Sequence, residues 1–277
     1  MKKEEVQAAI IEAVHQVKST NPMAPSITNT VTINFVANTQ IAVGGSAAMV
    51  YMPDEGKTMA NIAQAMYINV GTIFPIYEET LPQTAAKLHE LGKNWVVDPV
   101  AIGIGELRTK LLNDFKPYKP SIIRGNASEV IALAHLWHLL DHPSESKVRG
   151  VDSTESVDQA TEAALALALY TGGAVSVSGK TDLVTDGHHI AHSHGGSSFM
   201  GKITGAGCSL GGATAVYACV ADPFIAALTA CQVFNLAGSR AEAKVKAPGS
   251  FQPQFIDELY LASAEDIAHN PFDFVTL

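Results

Sequence analysis

The run Lys202-Ile203-Thr204-Gly205-Ala206-Gly207-Cys208-Ser209 leads directly into an apolar helical stretch. Two glycines at a helix start let the backbone approach a ligand closely, and the first free N–H groups and the helix dipole then face an anion. Such a cradle stabilises the charge of a phosphoryl group in transfer, although a glycine-rich turn packing a helix onto a sheet shows the same pattern. The GxxxxGK[ST] spacing of a Walker A loop is absent. Asn126-Ala127-Ser128-Glu129 follows a strand and opens another helix. Glu129 there suits a hydrated Mg²⁺, and it equally suits a first-turn acid behind an Asn cap. Asp98, between Val97 and Pro99, offers a second carboxylate or simply initiates a turn. Arg124, at a strand end, suits a phosphate clamp or a surface ion pair.

Other chemistry-bearing residues read less sharply. His188, His189, His192 and His194 lie among Gly and Ser without the Cys or acidic spacing of a metal site, so a polar hairpin or loop is the better reading. Cys208, at a helix start, has either a lowered pKa and reactivity or a small packing role. Cys219 and Cys231 lie in apolar patterns and read as core. Met49, after a run of small residues, lines an apolar pocket or belongs to the core.

These residues must be held by alternating strands and helices. Val6, Ile10, Val14 and Val17 mark one face of a first helix, which Asn21-Pro22-Met23-Ala24-Pro25 stops. Ile27, Asn29, Val31, Ile33 and Phe35 alternate with Thr28, Thr30, Thr32 and Asn34, which predicts a strand or extended loop. Helical composition then covers Asp54 to Ala65, Glu78 to Leu91, Glu106 to Phe115, a segment from near Ala127, and Asp158 to Tyr170 opened by Ser156. Pro82 fits an early turn of its helix. Between them, Met66–Val70, Trp95–Val97, Ser121–Ile123 and Ala174–Val177 read as short strands, with a β-like segment near Leu183-Val184. From Ala206 onward the chain reads as mostly helical. Short apolar strands alternating with helices predict a parallel sheet covered on both faces, with ligands just past the carboxyl ends of the strands. Asn69 and Gly71, Asp98, Arg124, Asn126 and Glu129, and Ser178 and Gly179 stand at those ends. With no internal repeat, low-complexity tract or linker, residues 1–277 read as one domain.

Composition excludes several function classes. Over 277 residues, 47% are hydrophobic and 16% charged, which excludes disorder. A net charge of −9 without a basic run argues against nucleic-acid or anionic-membrane binding. Three cysteines without CxxC spacing fit a reducing compartment. The start lacks the pattern of a secretory signal, and Ala206 to Val220, interrupted by Gly207, Gly211 and Gly212, reads as a buried helix rather than a membrane span. A soluble, cytoplasmic protein is expected.

Taken in order, these residues resemble the hydroxyethylthiazole kinase family of the ribokinase-like superfamily, over nearly the whole chain. The resemblance rests on Asn29-Thr30-Val31, Asn34-Phe35, Ala37-Asn38, Gly45-Ser46 and Met49. It continues through Asn69-Val70-Gly71-Thr72, Asp98-Pro99-Val100, Ile123-Arg124-Gly125-Asn126 with Glu129, and Gly150-Val151-Asp152. Ser178-Gly179 with Asp182, and Thr204-Gly205-Ala206-Gly207-Cys208, complete it. The Gly-Ala-Gly element marks the superfamily, and Cys208 where the superfamily usually has Asp narrows the match to this family.

The resemblance implies a ribokinase-like α/β fold, a central, mostly parallel sheet between helices, and a homotrimer with active sites between subunits. It implies ATP- and Mg²⁺-dependent phosphorylation of the hydroxyethyl alcohol of 4-methyl-5-(2-hydroxyethyl)thiazole in thiamine salvage. Met49, Gly205, Asn29 and Val31 would contact the thiazole, Arg124 and Ser178 would bind ATP, and Asp98 and Glu129 would organise Mg²⁺. Gly205, Ala206, Gly207 and Cys208 would form the catalytic anion cradle. Ala47 stands where the family often has Pro, Ala101 where it usually has Gly, and Ser178 where Thr is commoner. A kinase for a pyrimidine alcohol or pyridoxal, an ATP-dependent hydrate dehydratase (which normally keeps Asp at position 208), and a catalytically silent nucleotide binder are the rival readings.

Overall fold

The computed structural model describes residues 1–140 and 158–277. Gly150-Val151-Asp152 and Ser156 lie outside the described residues. In chain order the first half comprises α1 (Lys3–Thr20), β1 (Met23–Ile27), α2 (Ile33–Ala42), β2 (Ser46–Met49), α3 (Pro53–Ile62), β3 (Ala65–Asn69), α4 (Tyr77–Glu90), β4 (Asn94–Asp98), α5 (Glu106–Asp114), β5 (Ile122–Asn126) and α6 (Ala127–Leu136). The second half comprises α7 (Thr161–Thr171), β6 (Ala174–Ser178), β7 (Asp182–Thr185), β8 (His189–Ser193), α8 (Ala206–Ala218), α9 (Pro223–Glu242), α10 (Pro248–Leu261), α11 (Ala264–His269) and β9 (Phe272–Thr276).

All nine strands form one sheet in the order β2-β1-β3-β4-β5-β6-β7-β8-β9. The pairs from β2 to β6 are parallel, and β6 to β9 are antiparallel. The central strands are apolar throughout because both faces are covered. One core lies under α1, α2, α8, α9, α10 and α11, and the other under α3 to α7. This is the ribokinase-like arrangement the resemblance implied.

Two expectations change. The alternation from Ile27 to Phe35 does not make a strand: β1 ends at Ile27, and Ile33 to Ala42 is helical. Asn29 decides this, because its Oδ1 accepts from the Thr32 N–H at 3.1 Å and the Thr32 hydroxyl at 2.9 Å, turning the chain just before α2. Phe35, Val36, Thr39 and Gln40 then bury one helical face. The carboxyl-terminal segment is mostly helical as expected, through α8 to α11, and closes with β9, which pairs antiparallel with β8 and places Phe272 in the core. Asp158 to Ala160 forms a 3₁₀ turn ahead of α7 rather than its first residues. Among the described residues, no helix is long and apolar enough to cross a membrane.

Candidate active site

Period two along buried strands decides which side chains face α8 and α9. On β3, Ala65 and Tyr67 join the core beneath those helices while Met66 and Ile68 join the opposite one, so Asn69 returns to the α8 side. By the same count Val96 on β4 is followed by Asp98, and Ile122 on β5 by Arg124. On β6, Ser176 packs against Cys231 of α9, so Ser178 points the same way. Four polar side chains thus converge at the carboxyl ends of adjacent parallel strands.

They form one network. Asp98 Oδ2 accepts from the Tyr67 hydroxyl at 2.8 Å, Asn69 Nδ2 at 3.2 Å and Arg124 Nη1 at 3.3 Å. Arg124 Nη2 donates to Ser178 Oγ at 2.5 Å. Asn69 Oδ1 accepts from Asn29 Nδ2 at 3.1 Å, and that same amide reaches Cys208 Sγ at 3.2 Å. Asp98 is wholly buried, yet its Oδ1, like Arg124 Nε, has no hydrogen-bond partner among the described residues.

Glu129 caps its own helix and turns its other oxygen toward the site. Its Oε2 accepts from the Asn126 N–H at 2.8 Å while Asn126 Oδ1 accepts from the Glu129 N–H at 3.0 Å, a reciprocal cap on α6. Its Oε1 faces the site and accepts from the Ala101 N–H at 3.3 Å. Ala101 holds φ at +60°, a left-handed conformation that favours glycine.

Burial dominates the site's electrostatics. It pushes the Glu129 carboxyl up to about 7, with Asp98 adding to the rise and Arg124 opposing it. Burial also raises Asp98, against the pull of Arg124, Tyr67 and Asn69. For Arg124 burial works the other way, but Asp98 and Glu129 more than offset it and keep the guanidinium charged. Cys208 is raised by burial and by Asp98, so the lowered pKa considered for it is not found, and the thiol stays protonated.

Above this network sits the start of α8. Gly205 is its N-cap at φ +90°, and the helix ladder begins with the Ser209 N–H donating to Gly205 O at 2.8 Å. The N–H groups of Ala206, Gly207 and Cys208 therefore precede the first intrahelical bond. At Gly207 a Cβ would fall 2.7 Å from the Arg124 guanidinium, so only glycine lets the helix start lie against that cation.

Two cavities meet there. One of about 760 Å³ is walled by Ser178 to Lys180, Asp182, Gly195 to Ser198, and Asn235 with Glu242 of α9. The other, of about 610 Å³, is walled by Asn29, Val31, Thr32, Glu129, Lys202 to Gly205, and Cys208. Arg124, Ser178, Ala206 and Gly207 wall both.

The structure thus brings together Asn29, Val31, Asp98, Arg124, Glu129, Ser178, Gly205, Ala206, Gly207 and Cys208. Val31 sits at the rim, 72% exposed. Met49 ends β2, half-buried against the α8-side core, and is not among the residues that wall either cavity. Sequence reasoning passed over Tyr67, Thr32 and Asn235. Tyr67 had a signal, since it lies two residues before Asn69 on a strand and must share its face. The histidines fall at the far edge: His189 Nδ1 pairs with Asp186 and His194 Nε2 with Asp273. Among the described residues, no group of three or more His, Cys, Asp or Glu side chains is placed to hold a metal ion.

Comparison with known proteins agrees with this geometry. The model of the hydroxyethylthiazole kinase family matches residues 14–265. The chain is 50% identical to a hydroxyethylthiazole kinase of Bifidobacterium adolescentis, over 95% of this chain and 93% of that one. It is 49% identical to the enzyme of that name from Bifidobacterium longum subsp. infantis, over 94% and 89%. A solved hydroxyethylthiazole kinase protein from Pyrococcus horikoshii superposes with a TM-score of 0.85 at 27% identity, covering 97% of this chain and 98% of that one. The matched family, the extended identity and the shared fold converge on one conclusion: the chain belongs to the hydroxyethylthiazole kinase family.

Proposed function

We propose that ATP occupies the larger cavity and the thiazole alcohol the smaller, with the γ-phosphoryl group crossing between them at the start of α8. The reaction is that of the family: the hydroxyethyl group of 4-methyl-5-(2-hydroxyethyl)thiazole accepts phosphate from ATP, giving the thiazole phosphate of thiamine biosynthesis. The observation carrying the arrangement is that Arg124, Ser178, Ala206 and Gly207 wall both cavities.

In this reading the amides of Gly205, Ala206, Gly207 and Cys208 hold the transferring group, and Arg124, steadied by Ser178, offsets its charge. Asn29, Val31 and Gly205 contact the thiazole. Cys208 orients the alcohol: a buried, protonated thiol beside Asp98 is a poor proton acceptor. A largely dissociative transition state needs little early deprotonation, so positioning carries most of the rate and the proton leaves late, to phosphate or water.

The residues fit a divalent cation. Asp98 keeps a buried oxygen without a partner among the described residues, and its charge adds to the burial that raises the Glu129 carboxyl opposite the Arg124 guanidinium. Asp98 and Glu129 would organise Mg²⁺, the former through water, and the ion would offset triphosphate charge. Residues 1–277 working as one kinase domain is supported by the single nine-stranded sheet. A homotrimer with sites between subunits is supported by Val31, left open at the rim, and by Met49, which reaches neither cavity of its own chain.

The test is purified protein with MgATP and a panel of the thiazole alcohol, a pyrimidine alcohol and pyridoxal, with products read by mass. Phosphorylation of the thiazole alcohol with the highest kcat/KM is expected. A clear preference for either other alcohol would overturn the substrate assignment.

A further inference from the structure

The carboxylate of Asp182 has no place in the chemistry above, yet it is buried in the wall of the cavity assigned to ATP. A carboxylate is the wrong charge for a triphosphate, and among the described residues no cationic side chain lies within ion-pair distance of it. Its two oxygens are engaged elsewhere. Oδ1 accepts from the Gly179 N–H at 3.0 Å, and Oδ2 accepts from Asn235 Nδ2 of α9 at 3.0 Å.

Asn235 extends this bond into a strap across the cavity. Its Nδ2 also donates to Ser193 Oγ at 2.8 Å, and its backbone carbonyl accepts from the Gly196 N–H at 2.9 Å. One turn along α9, Ser239 Oγ donates to the Gly196 carbonyl at 3.0 Å. The two walls of the cavity, the β6–β7 turn on one side and residues 193–197 on the other, are therefore tied to the same helix at one residue. The turn in turn carries Ser178, whose hydroxyl holds the Arg124 guanidinium. Burial of Asp182 at a cost to its charged form is accepted at a place where an apolar residue would leave the Gly179 N–H and the Asn235 amide unanswered.

We propose that Asp182 and Asn235 are positioning residues for the nucleotide: their acid–amide pair sets the separation of the two walls of the ATP cavity and, through the Ser178 turn, the aim of Arg124. The proposal rests on the reading of that cavity as the ATP site. Asp182 and Asn235 wall the ATP cavity and not the alcohol cavity, so the pair acts first on nucleotide binding.

The test is a pair swap. Loss of one hydrogen bond to a charged group predicts that Asp182→Asn raises the KM for ATP and the dissociation constant of a non-hydrolysable ATP analogue about tenfold, with the KM for the thiazole alcohol changed less than about twofold. Asn235→Asp alone sets two carboxylates against each other and weakens ATP binding further. The double variant D182N/N235D restores an acid–amide pair in reversed order and recovers most of the lost affinity. It also carries the test should D182N alone not fold. Folded D182N with wild-type ATP affinity, a double variant no better than the worse single, or an equal rise in both KM values would each overturn the proposal. Photolabelling of the wild-type enzyme with an azido-ATP separates the two layers of the argument. Label outside the 760 Å³ cavity sinks the site reading itself. Label within it, with D182N unaffected, sinks only the positioning role.

Discussion

At the scale of single residues, Cys208 separates positioning from proton transfer. The thiol is buried, protonated, and hydrogen-bonded by Asn29 rather than by any base. If its role is to orient the alcohol, Cys208→Ala keeps measurable turnover, with kcat lowered by about ten- to a hundredfold, the usual scale of losing one positioning or proton-handling group. Cys208→Asp, which installs a carboxylate able to take the proton, matches or exceeds the wild-type rate. Steady-state kinetics on both variants checks this; abolished turnover in folded C208A, or a steep fall in C208D, refutes the orienting role. Asp182 makes a different prediction, about stability. Burial lifts its carboxyl from an ordinary 3.8 to about 6, opposed by Gly179, Asn235 and Arg124. The folded pKa is raised, so the group's favourable contribution is full below pH 3.8 and is lost as pH rises through about 6. Relative to D182N, the wild type therefore gains unfolding free energy between pH 8 and pH 5. Denaturant titrations of both proteins at the two pH values measure the difference, and a pH-independent gap contradicts the assigned burial. Residue types at the strand ends were readable in advance because Asp, Arg and Asn interrupting apolar runs have few structural excuses. Tyr67 and Asn235 were not singled out, because a buried Tyr and a helical Asn pass for ordinary core until their partners are known.

At the scale of elements, the start of α8 is where sequence and geometry agree most closely, since Gly-Ala-Gly before an apolar helix has a direct physical meaning. The close approach of Gly207 to Arg124 gives it a sharp consequence. Gly207→Ala would place a methyl 2.7 Å from the guanidinium and displace the cation that both cavities share. Because that neighbour is a side-chain end and not backbone, the fold accommodates the change, while kcat/KM for ATP falls at least about a hundredfold, the loss seen when one preorganised charge-stabilising group is removed. Circular dichroism with steady-state kinetics tests it; activity near wild type would show that Arg124 need not lie where it does. The segment from Ile27 to Phe35 shows the opposite case. Alternating Thr, Val, Ile and Phe satisfies a strand pattern, but the side chain of Asn29 bonds Thr32 and the chain turns into α2. A local hydrogen bond overrides periodicity there, and pattern reading has no access to it. The edge strand β9 was hidden for a related reason: five residues at the end of a helical region carry little periodic signal of their own, and pairing with β8 supplies their order.

At the scale of the whole molecule, the parallel order of the inner strands follows from alternating elements, but nothing in periodicity says how many copies complete a site. Val31 stands 72% exposed at the wall of the smaller cavity, and Tyr51, Met52 and Phe74 add exposed apolar surface at 36%, 46% and 39%. Met49, assigned to the thiazole by the family resemblance, does not reach its own chain's cavity. The proposed cyclic trimer, with Arg124 from one copy and Met49 from its neighbour at each site, would account for these facts together. Complementation then follows. Arg124→Ala removes the nucleotide-side cation, and Met49→Glu places a carboxylate in the thiazole pocket, so each variant alone is nearly inactive. Co-expressed in equal amounts, they assemble at random: about a third of the sites in each mixed cyclic trimer receive an intact Arg124 and an intact Met49, which is about a quarter of all sites once unmixed trimers are counted. Activity should therefore recover to roughly that fraction of wild type, provided native mass spectrometry shows mixed trimers. Mixed trimers that remain as inactive as either parent would mean that each chain completes its own site, with Met49 acting in the core alone.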